Sequence, residues 1–144
     1  MLVVDTGIFV AVADRDEPHH SVSVEALRGH RDVAVPAPVI PETAWLTEAR
    51  LGPDAEVRFL TAVTGPKFQV VVPIPADYVR AVELIRRYAD LGLGLVDASI
   101  IASAERLGAT TIATIDQATS SWAALLTATR SNSSLEPPFA LGLR

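Results

Sequence analysis

Four short apolar runs, each separated from the next by segments with helical spacing, limit what this chain of 144 residues can fold into. The runs are residues 2–5, 33–35, 68–72 and 111–115. The run at 2–5 is continuously apolar up to Asp5 and does not alternate with polar residues, which is typical of a strand buried on both faces. Strands that alternate with helices predict an α/β fold: a mainly parallel sheet with helices on both sides, joined by right-handed crossovers. The length and the absence of an internal repeat predict a single domain over residues 1–144.

Helices are predicted between these strands from apolar periodicity and from proline and glycine at the ends of the segments. The predicted helices are residues 7–13, 18–29, 42–51, 54–63, 77–89 and 97–107, with a weaker one at 120–129. The clearest periodicity is in 77–89, where apolar residues recur at three- and four-residue spacing and predict the buried face. That predicted face consists of Tyr78, Ala81, Val82, Ile85, Tyr88 and Ala89.

Four acidic residues fall where such a sheet would bring them together. Asp5 and Asp116 end the first and last apolar runs, and Glu42 and Asp97 lie in the first turns of predicted helices. Sites in open parallel sheets form outside the carboxyl ends of the strands. Carboxylates gathered there repel one another unless protons are retained or cations bind. Oxygen ligands of this kind suit Mg²⁺ or Mn²⁺, so we predict a metal site that activates water for phosphate chemistry.

Each of these acids also has a structural interpretation when it is considered alone. Asp97 suits a helix cap, Glu42 suits the first turn of a helix, and Asp116 suits the start of a turn. Asp5 is harder to explain by stability, because a carboxylate directly after a buried strand is costly. The threonines Thr6 and Thr114 are placed to orient a carboxylate. Other acids, Glu17 among them, are predicted to be solvated.

Composition narrows the function classes further. The net charge of −5 argues against a broad basic surface that holds nucleic acid unaided, although it does not exclude an enzyme that acts on nucleic acid. There is no cysteine, which removes disulfides and thiolate chemistry. No apolar run approaches the roughly 20 residues of a membrane span, and we recognise no signal peptide. We therefore expect a cytoplasmic protein that does not enter a membrane.

Four motifs together resemble the PIN-domain family and, within it, the VapC-type toxins of bacterial toxin–antitoxin pairs. They are Val3-Val4-Asp5-Thr6, Val39-Ile40-Pro41-Glu42, the segment from Gly94 to Ala104 with Asp97 within it, and Thr114-Ile115-Asp116. The resemblance covers residues 1 to about 116. The region 117–144 departs from the family's pattern, because Gln117-Ala118-Thr119 stand where relatives usually have basic residues.

The resemblance implies a PIN-like three-layer α/β/α sandwich and an endoribonuclease that uses Mg²⁺ or Mn²⁺. It places the family's metal-binding and catalytic acids at Asp5, Glu42, Asp97 and Asp116, and its site-lining hydroxyl at Thr6. It also implies a small VapB-type antitoxin as partner, an RNA substrate and a homodimer.

Two other functions stay open at this stage. One is a non-catalytic PIN-like module that binds an antitoxin or RNA, which the unusual carboxyl-terminal region makes worth testing. The other is a phosphatase similar to the haloacid dehalogenases, since Asp5 follows a first strand. That chemistry requires a second aspartate two residues later, where this chain has Gly7, and a later lysine, for which Lys67 is the only candidate.

Overall fold

The computed structural model describes residues 1–115 and the backbone of a short strand at 140–142. Its strands are β1 Leu2–Val4, β2 Val33–Pro36, β3 Phe68–Val71, β4 Thr111–Thr114 and β5 Ala140–Gly142. Its helices are α1 Thr6–Ala13, α2 His20–Gly29, α3 Val39–Leu51, α4 Pro53–Val63, α5 Pro75–Arg87 and α6 Leu95–Leu107. A short 3₁₀ turn, Ala89–Leu91, joins α5 to α6.

The strands form one parallel sheet in the order β3-β2-β1-β4-β5. Strand β1 is the middle strand of this order and lies between β2 and β4, with Val3 opposite Ala34 of β2 and Ile112 of β4. Because all these strands point the same way, their carboxyl ends share one edge of the sheet. The α/β class and the PIN-like architecture predicted from the sequence are confirmed.

The helices pack in two groups around this sheet. Helix α1 contacts α2, α3 and α4, whereas α5 packs on α6, which contacts β1 and β2. The main core includes fully buried Leu2, Val4 and Ile8 from the first strand and helix, and Ile100 from α6. Burial of these side chains at about 1.5–3 kcal/mol each fixes β1 and α6 against each other. The beginning of α1 and the beginning of α6 are thereby both anchored beside the central strands.

The two helices that carry Glu42 and Asp97 both begin earlier than predicted, which changes where these acids lie in them. Helix α3 begins at Val39 and not at Glu42, so Pro41 is its third residue. Proline is tolerated there because the N–H groups of the first turn have no acceptor within the helix. Helix α6 begins at Leu95 and not at Asp97, which is therefore its third residue. Both acids still lie in or next to a first turn, as predicted.

The buried face of α5 differs from the predicted one. Tyr78 and Val82 are 48% and 46% exposed, whereas Asp77, Ala81 and Leu84 are buried. Asp77 is buried because Arg106 of α6 donates to both of its carboxylate oxygens at 2.9 Å. A polar residue at the centre of the buried face escapes any prediction based on apolar periodicity.

The remaining differences between the predicted and the observed secondary structure concern the carboxyl-terminal part of the chain. Strand β5 pairs in parallel with β4, with Leu141 opposite Ala113, and was not predicted. The predicted helix at 120–129 lies outside the described residues.

Among the residues that the structure describes, no helix combines the length and apolar character that a membrane crossing requires.

Candidate active site

Asp5 lies at the carboxyl end of the central strand and caps the helix that follows. It is the N-cap residue of α1, and its Oδ1 accepts a hydrogen bond of 2.6 Å from the backbone N–H of Thr6. Its Oδ2 accepts a hydrogen bond of 2.8 Å from the hydroxyl of Thr114, at the end of β4. One oxygen is therefore oriented by the first residue of α1 and the other by the last residue of β4. The predicted role of Thr114 in orienting a carboxylate agrees with this contact.

Burial and neighbouring charges make the ionised form of Asp5 unfavourable. Its side chain is only 6% exposed. Burial raises the pKa of Asp5 from its ordinary 3.8 to about 6, although the hydrogen bonds from Thr114 and Thr6 oppose the shift. The negative charges of Asp97 and Glu42 raise the same pKa further, which places both acids within electrostatic reach. A carboxylate with a raised pKa beside two others is the electrostatic pattern of a functional site.

Glu42 is joined to the same corner by Thr6. The Thr6 hydroxyl donates to Oε2 of Glu42, while the backbone N–H of Thr6 donates to Asp5. Thr6 is itself buried, so one residue with little freedom fixes two acids that are 37 positions apart in the chain. Glu42 is half-buried and belongs to the first turn of α3.

Asp97 reaches the site from the opposite layer of helices. Its Oδ2 accepts a hydrogen bond of 3.3 Å from the backbone N–H of Gly94, which stabilises the first turn of α6. The prediction of Asp97 as the N-cap residue itself is wrong, because Gly94 holds that position and Asp97 caps the helix from its third residue. The side chain is also part of the cavity described next. Structural and functional interpretations of Asp97 are both compatible with this position.

An open cavity of about 340 Å³ contains all three of these acids. It is lined by Asp5, Thr6, Gly7, Val10, Ala11, Glu17, Glu42, Leu46, Arg50, Asp97 and Ile115. Within residues 1–115, however, no three acidic or histidine side chains are close enough to form a complete ligand set for a metal ion. The three acids thus share one cavity without closing on a common point.

The fourth predicted acid, Asp116, lies outside the described residues. The residue before it, Ile115, lines the cavity.

Two charged residues that line this cavity were not identified from the sequence as part of the site. Glu17 was predicted to be solvated, but it lines the cavity, and its Oε1 lies 3.3 Å from Nδ1 of His19. Arg50 lines it from the last turn of α3. The only available signal for Arg50 was its spacing of four residues from Leu46 and eight from Glu42, which places all three on one face of a helix.

Comparison with known families agrees with this fold. The sequence model of the PIN domain matches residues 2–124, which is most of the chain. The chain therefore belongs to the PIN-domain family, as the four sequence motifs indicated.

Individual relatives place the chain beside the VapC-type members of that family. It is 29% identical to ribonuclease VapC26 of Mycobacterium tuberculosis over 117 residues, which cover 81% of this chain and 87% of the relative.

Solved structures show the same fold. The crystal structure of VapC20 of Mycobacterium tuberculosis, a toxin that cleaves the sarcin-ricin loop, matches with a TM-score of 0.79 at 20% identity, over 85% of this chain and 95% of that one. VapBC2 of Rickettsia felis, bound to a DNA fragment from its promoter, matches with a TM-score of 0.60 at 16% identity, over 80% and 86% of the two chains.

Proposed function

We propose that this protein is a Mg²⁺- or Mn²⁺-dependent endoribonuclease and the toxin of a toxin–antitoxin pair. The observation that carries the proposal is the convergence of Asp5, Glu42 and Asp97 on one cavity at the carboxyl edge of the sheet. Kinship with ribonuclease VapC26 supports RNA as the substrate. The likeness to VapC20 supports the fold on which such a site is built.

The donor set of the cavity fits a hard divalent cation. Its acids supply only oxygen ligands, and Mg²⁺ usually takes one or two carboxylates and keeps several waters. Carboxylates that do not converge on one point can therefore hold the ion partly through its waters. We assign Asp5, Glu42 and Asp97 to this role, and we propose Asp116 as the fourth acid because Ile115 before it lines the cavity. A bound cation would supply an activated water and charge stabilisation for hydrolysis of the phosphodiester bond.

The residues of the chain itself prepare the site before any ligand binds. Thr114 and the N–H of Thr6 fix the two oxygens of Asp5, and the Thr6 hydroxyl holds Glu42. Fixing these side chains in advance lowers the entropy that binding would otherwise lose. Asp5, with a pKa of about 6, exchanges a proton readily near neutral pH, which allows a cation to replace that proton.

Within residues 1–115, the cavity lacks the second aspartate and the lysine that the alternative phosphatase function requires. Gly7 lines the cavity where that chemistry requires its second aspartate, and Lys67 is not among the residues that line it. A Cβ atom at position 7 would lie 2.7 Å from Cγ1 of Ile115, so the cavity accommodates no larger residue there without rearrangement.

The activity is tested by incubating the purified protein with single-stranded RNA and with transfer RNA, each with Mg²⁺ or Mn²⁺. Cleavage should stop with EDTA and in the Asp5→Asn variant. A matched control is Asp54→Asn, which removes one exposed carboxylate from the first turn of α4 and should leave cleavage unchanged. Intact RNA under all these conditions would contradict the proposal and would favour the non-catalytic binding module.

We further propose a small antitoxin as partner, in line with the VapBC2 relative. An apolar cavity of about 570 Å³ lies between α1, α2 and α4, with Phe9, Leu27 and Phe59 in its wall and Arg15 and Arg58 beside them. Apolar walls with two cations suit an amphipathic segment that carries acidic residues. Co-purification with a small partner protein tests this, because Arg15→Glu or Arg58→Glu, which change exposed side chains, should weaken the complex without affecting RNA cleavage by the free protein.

The predicted homodimer is part of the same proposal. Sedimentation equilibrium of the free protein and of the complex with its partner measures the number of copies directly. A monomer at all concentrations would remove that part of the proposal and leave the others standing.

A further inference from the structure

Arg50 is a cation in a cavity of acids with which it makes no ion pair. Asp5, Glu17, Glu42 and Asp97 line the same cavity, yet within residues 1–115 no carboxylate lies within 4.0 Å of the Arg50 guanidinium. Arg50 also makes no hydrogen bond to any described residue, and it is exposed. Other arginines of the described chain, such as Arg80 and Arg106, are engaged with carboxylates.

The position of Arg50 places this cation beside the acids and not among them. Glu42, Leu46 and Arg50 follow one another at four-residue spacing on α3 and all line the cavity. At about 1.5 Å of rise per residue, the backbone of Arg50 is about 12 Å from that of Glu42 along the helix. Arg50 is thus positioned for a group that flanks the acidic centre.

An acidic cavity that acts on RNA has an electrostatic difficulty that Arg50 addresses. The carboxylates repel the phosphates of the strand, and a local cation counteracts that repulsion. Among the described residues, Arg50 is the only basic residue that lines this cavity. Guanidinium groups bind phosphate oxygens in bidentate geometry, which orients the strand as well as holding it.

We propose that Arg50 binds a backbone phosphate next to the one that is cut and so positions the RNA strand across the acidic centre. This inference rests on the proposed ribonuclease function. Arg50 is accordingly a substrate-binding residue whose loss weakens binding of RNA and leaves metal binding intact.

The structural alternative is that Arg50 only stabilises the carboxyl end of its helix, where a cation is favourable. The chain offers a matched control for this role. Arg28 is also exposed, also lies in the last turn of its helix, α2, and makes no ion pair with the described residues, but it does not line the cavity. Arg50→Ala and Arg28→Ala therefore remove the same charge from equivalent helix positions.

The experiment measures initial rates of cleavage of a labelled single-stranded RNA in Mg²⁺ for the wild type, Arg50→Ala, Arg50→Lys and Arg28→Ala, over a range of KCl concentrations. Arg50→Ala should raise KM about 10- to 100-fold, since a charged hydrogen-bonding contact is lost. The slope of log(kcat/KM) against log[KCl] should become shallower by about 0.7, the value for one phosphate contact to a single strand. Arg50→Lys should keep the wild-type slope with an intermediate KM, and Arg28→Ala should match the wild type.

Three results would overturn the inference. Equal KM and slope for Arg50→Ala and Arg28→Ala would overturn it while leaving the proposed function intact. A loss confined to kcat, with KM and slope unchanged, would also overturn it, because Arg50 would then act on the metal site. Failure of the wild type to cleave RNA would overturn the proposed function and this inference with it. Thermal unfolding of the two alanine variants, expected to agree within about 2 °C, separates binding from stability.

Discussion

Replacing Asp5 with asparagine should stabilise the metal-free protein at neutral pH while abolishing its activity. The pKa of Asp5 is raised from 3.8 to about 6 in the folded state, chiefly by burial. The folded protein therefore binds this proton more tightly than the unfolded chain does. The stability that results is fully present below pH 3.8 and is lost as the pH rises through about 6. At about 1.4 kcal/mol per pKa unit, the ionised carboxylate lowers the free energy of unfolding by about 3 kcal/mol above that range.

The asparagine variant removes this cost and keeps most of the local contacts. Asparagine is a good N-cap residue, so its amide oxygen can still accept from the N–H of Thr6. Its amide N–H groups can donate to the hydroxyl of Thr114, which accepts as well as donates. One hydrogen bond changes direction in the variant, which reduces the benefit. We therefore expect its free energy of unfolding to exceed that of the wild type by about 1–3 kcal/mol at about pH 8 and by nearly zero at about pH 4.

Urea unfolding in EDTA at a series of pH values measures this gain. The curves for the wild type and Asp5→Asn should converge as the pH falls, and Asp54→Asn, which changes an exposed acid, should follow the wild type throughout. The reasoning is refuted if Asp5→Asn is less stable than the wild type at about pH 8, or if the gap between them does not depend on pH.

Three further predictions follow from the same structure. Mg²⁺ should raise the melting temperature of the wild type but not of the asparagine variant in a scanning fluorimetry titration, and an unchanged wild type would count against the metal site. Gly7→Ala places a Cβ atom 2.7 Å from Cγ1 of Ile115, so it should lower the stability by about 1–2 kcal/mol and reduce cleavage at least about tenfold. Gly29→Ala is the control, because nothing lies within 4 Å of its Cβ position. Arg106→Ala leaves Asp77, which is 5% exposed, without its cation. It should lower stability by about 2–3 kcal/mol near pH 7. The loss should shrink only as the pH falls below 3.8, because, against the effect of burial, the hydrogen bond and charge of Arg106 hold the pKa of Asp77 below that ordinary value. Equal stabilities in urea unfolding near pH 7 would contradict this.

The sequence predicted the parts of this molecule that depend on local pattern. The apolar runs predicted β1 to β4. Strands β1 and β2 are buried along their whole length, as their lack of alternation indicates, whereas β3 at the edge of the sheet exposes Gln69 and Val70. Gly108 was predicted to end α6, and it adopts a φ of 61°, which favours glycine. The meeting of Asp5, Glu42 and Asp97 in one cavity followed from topology, since parallel strands end at one edge.

The features that the sequence did not predict depend on contacts between distant segments. Asp77 is buried beside Arg106, which comes from another helix, and the buried face of α5 includes Asp77 and not Tyr78. Glu17 follows a polar turn, and nothing local distinguishes it from its solvated neighbours. Arg50 is an exposed residue near a helix end, so its place beside the acids becomes visible only when α3 is set against β1.

The buried carboxylate of Asp5 both lowers the stability of the fold and takes part in the proposed function. A buried carboxylate next to Glu42 and Asp97 destabilises the fold by about 3 kcal/mol at neutral pH. A ligand that binds only the folded state contributes about 2.7 kcal/mol when its concentration is 100 times its dissociation constant. A divalent cation at such a concentration would therefore offset nearly the whole cost. Since Thr6 and Thr114 hold the carboxylates in place, the fold keeps at neutral pH an unfavourable charge arrangement that a bound cation would relieve, as a proton does at lower pH.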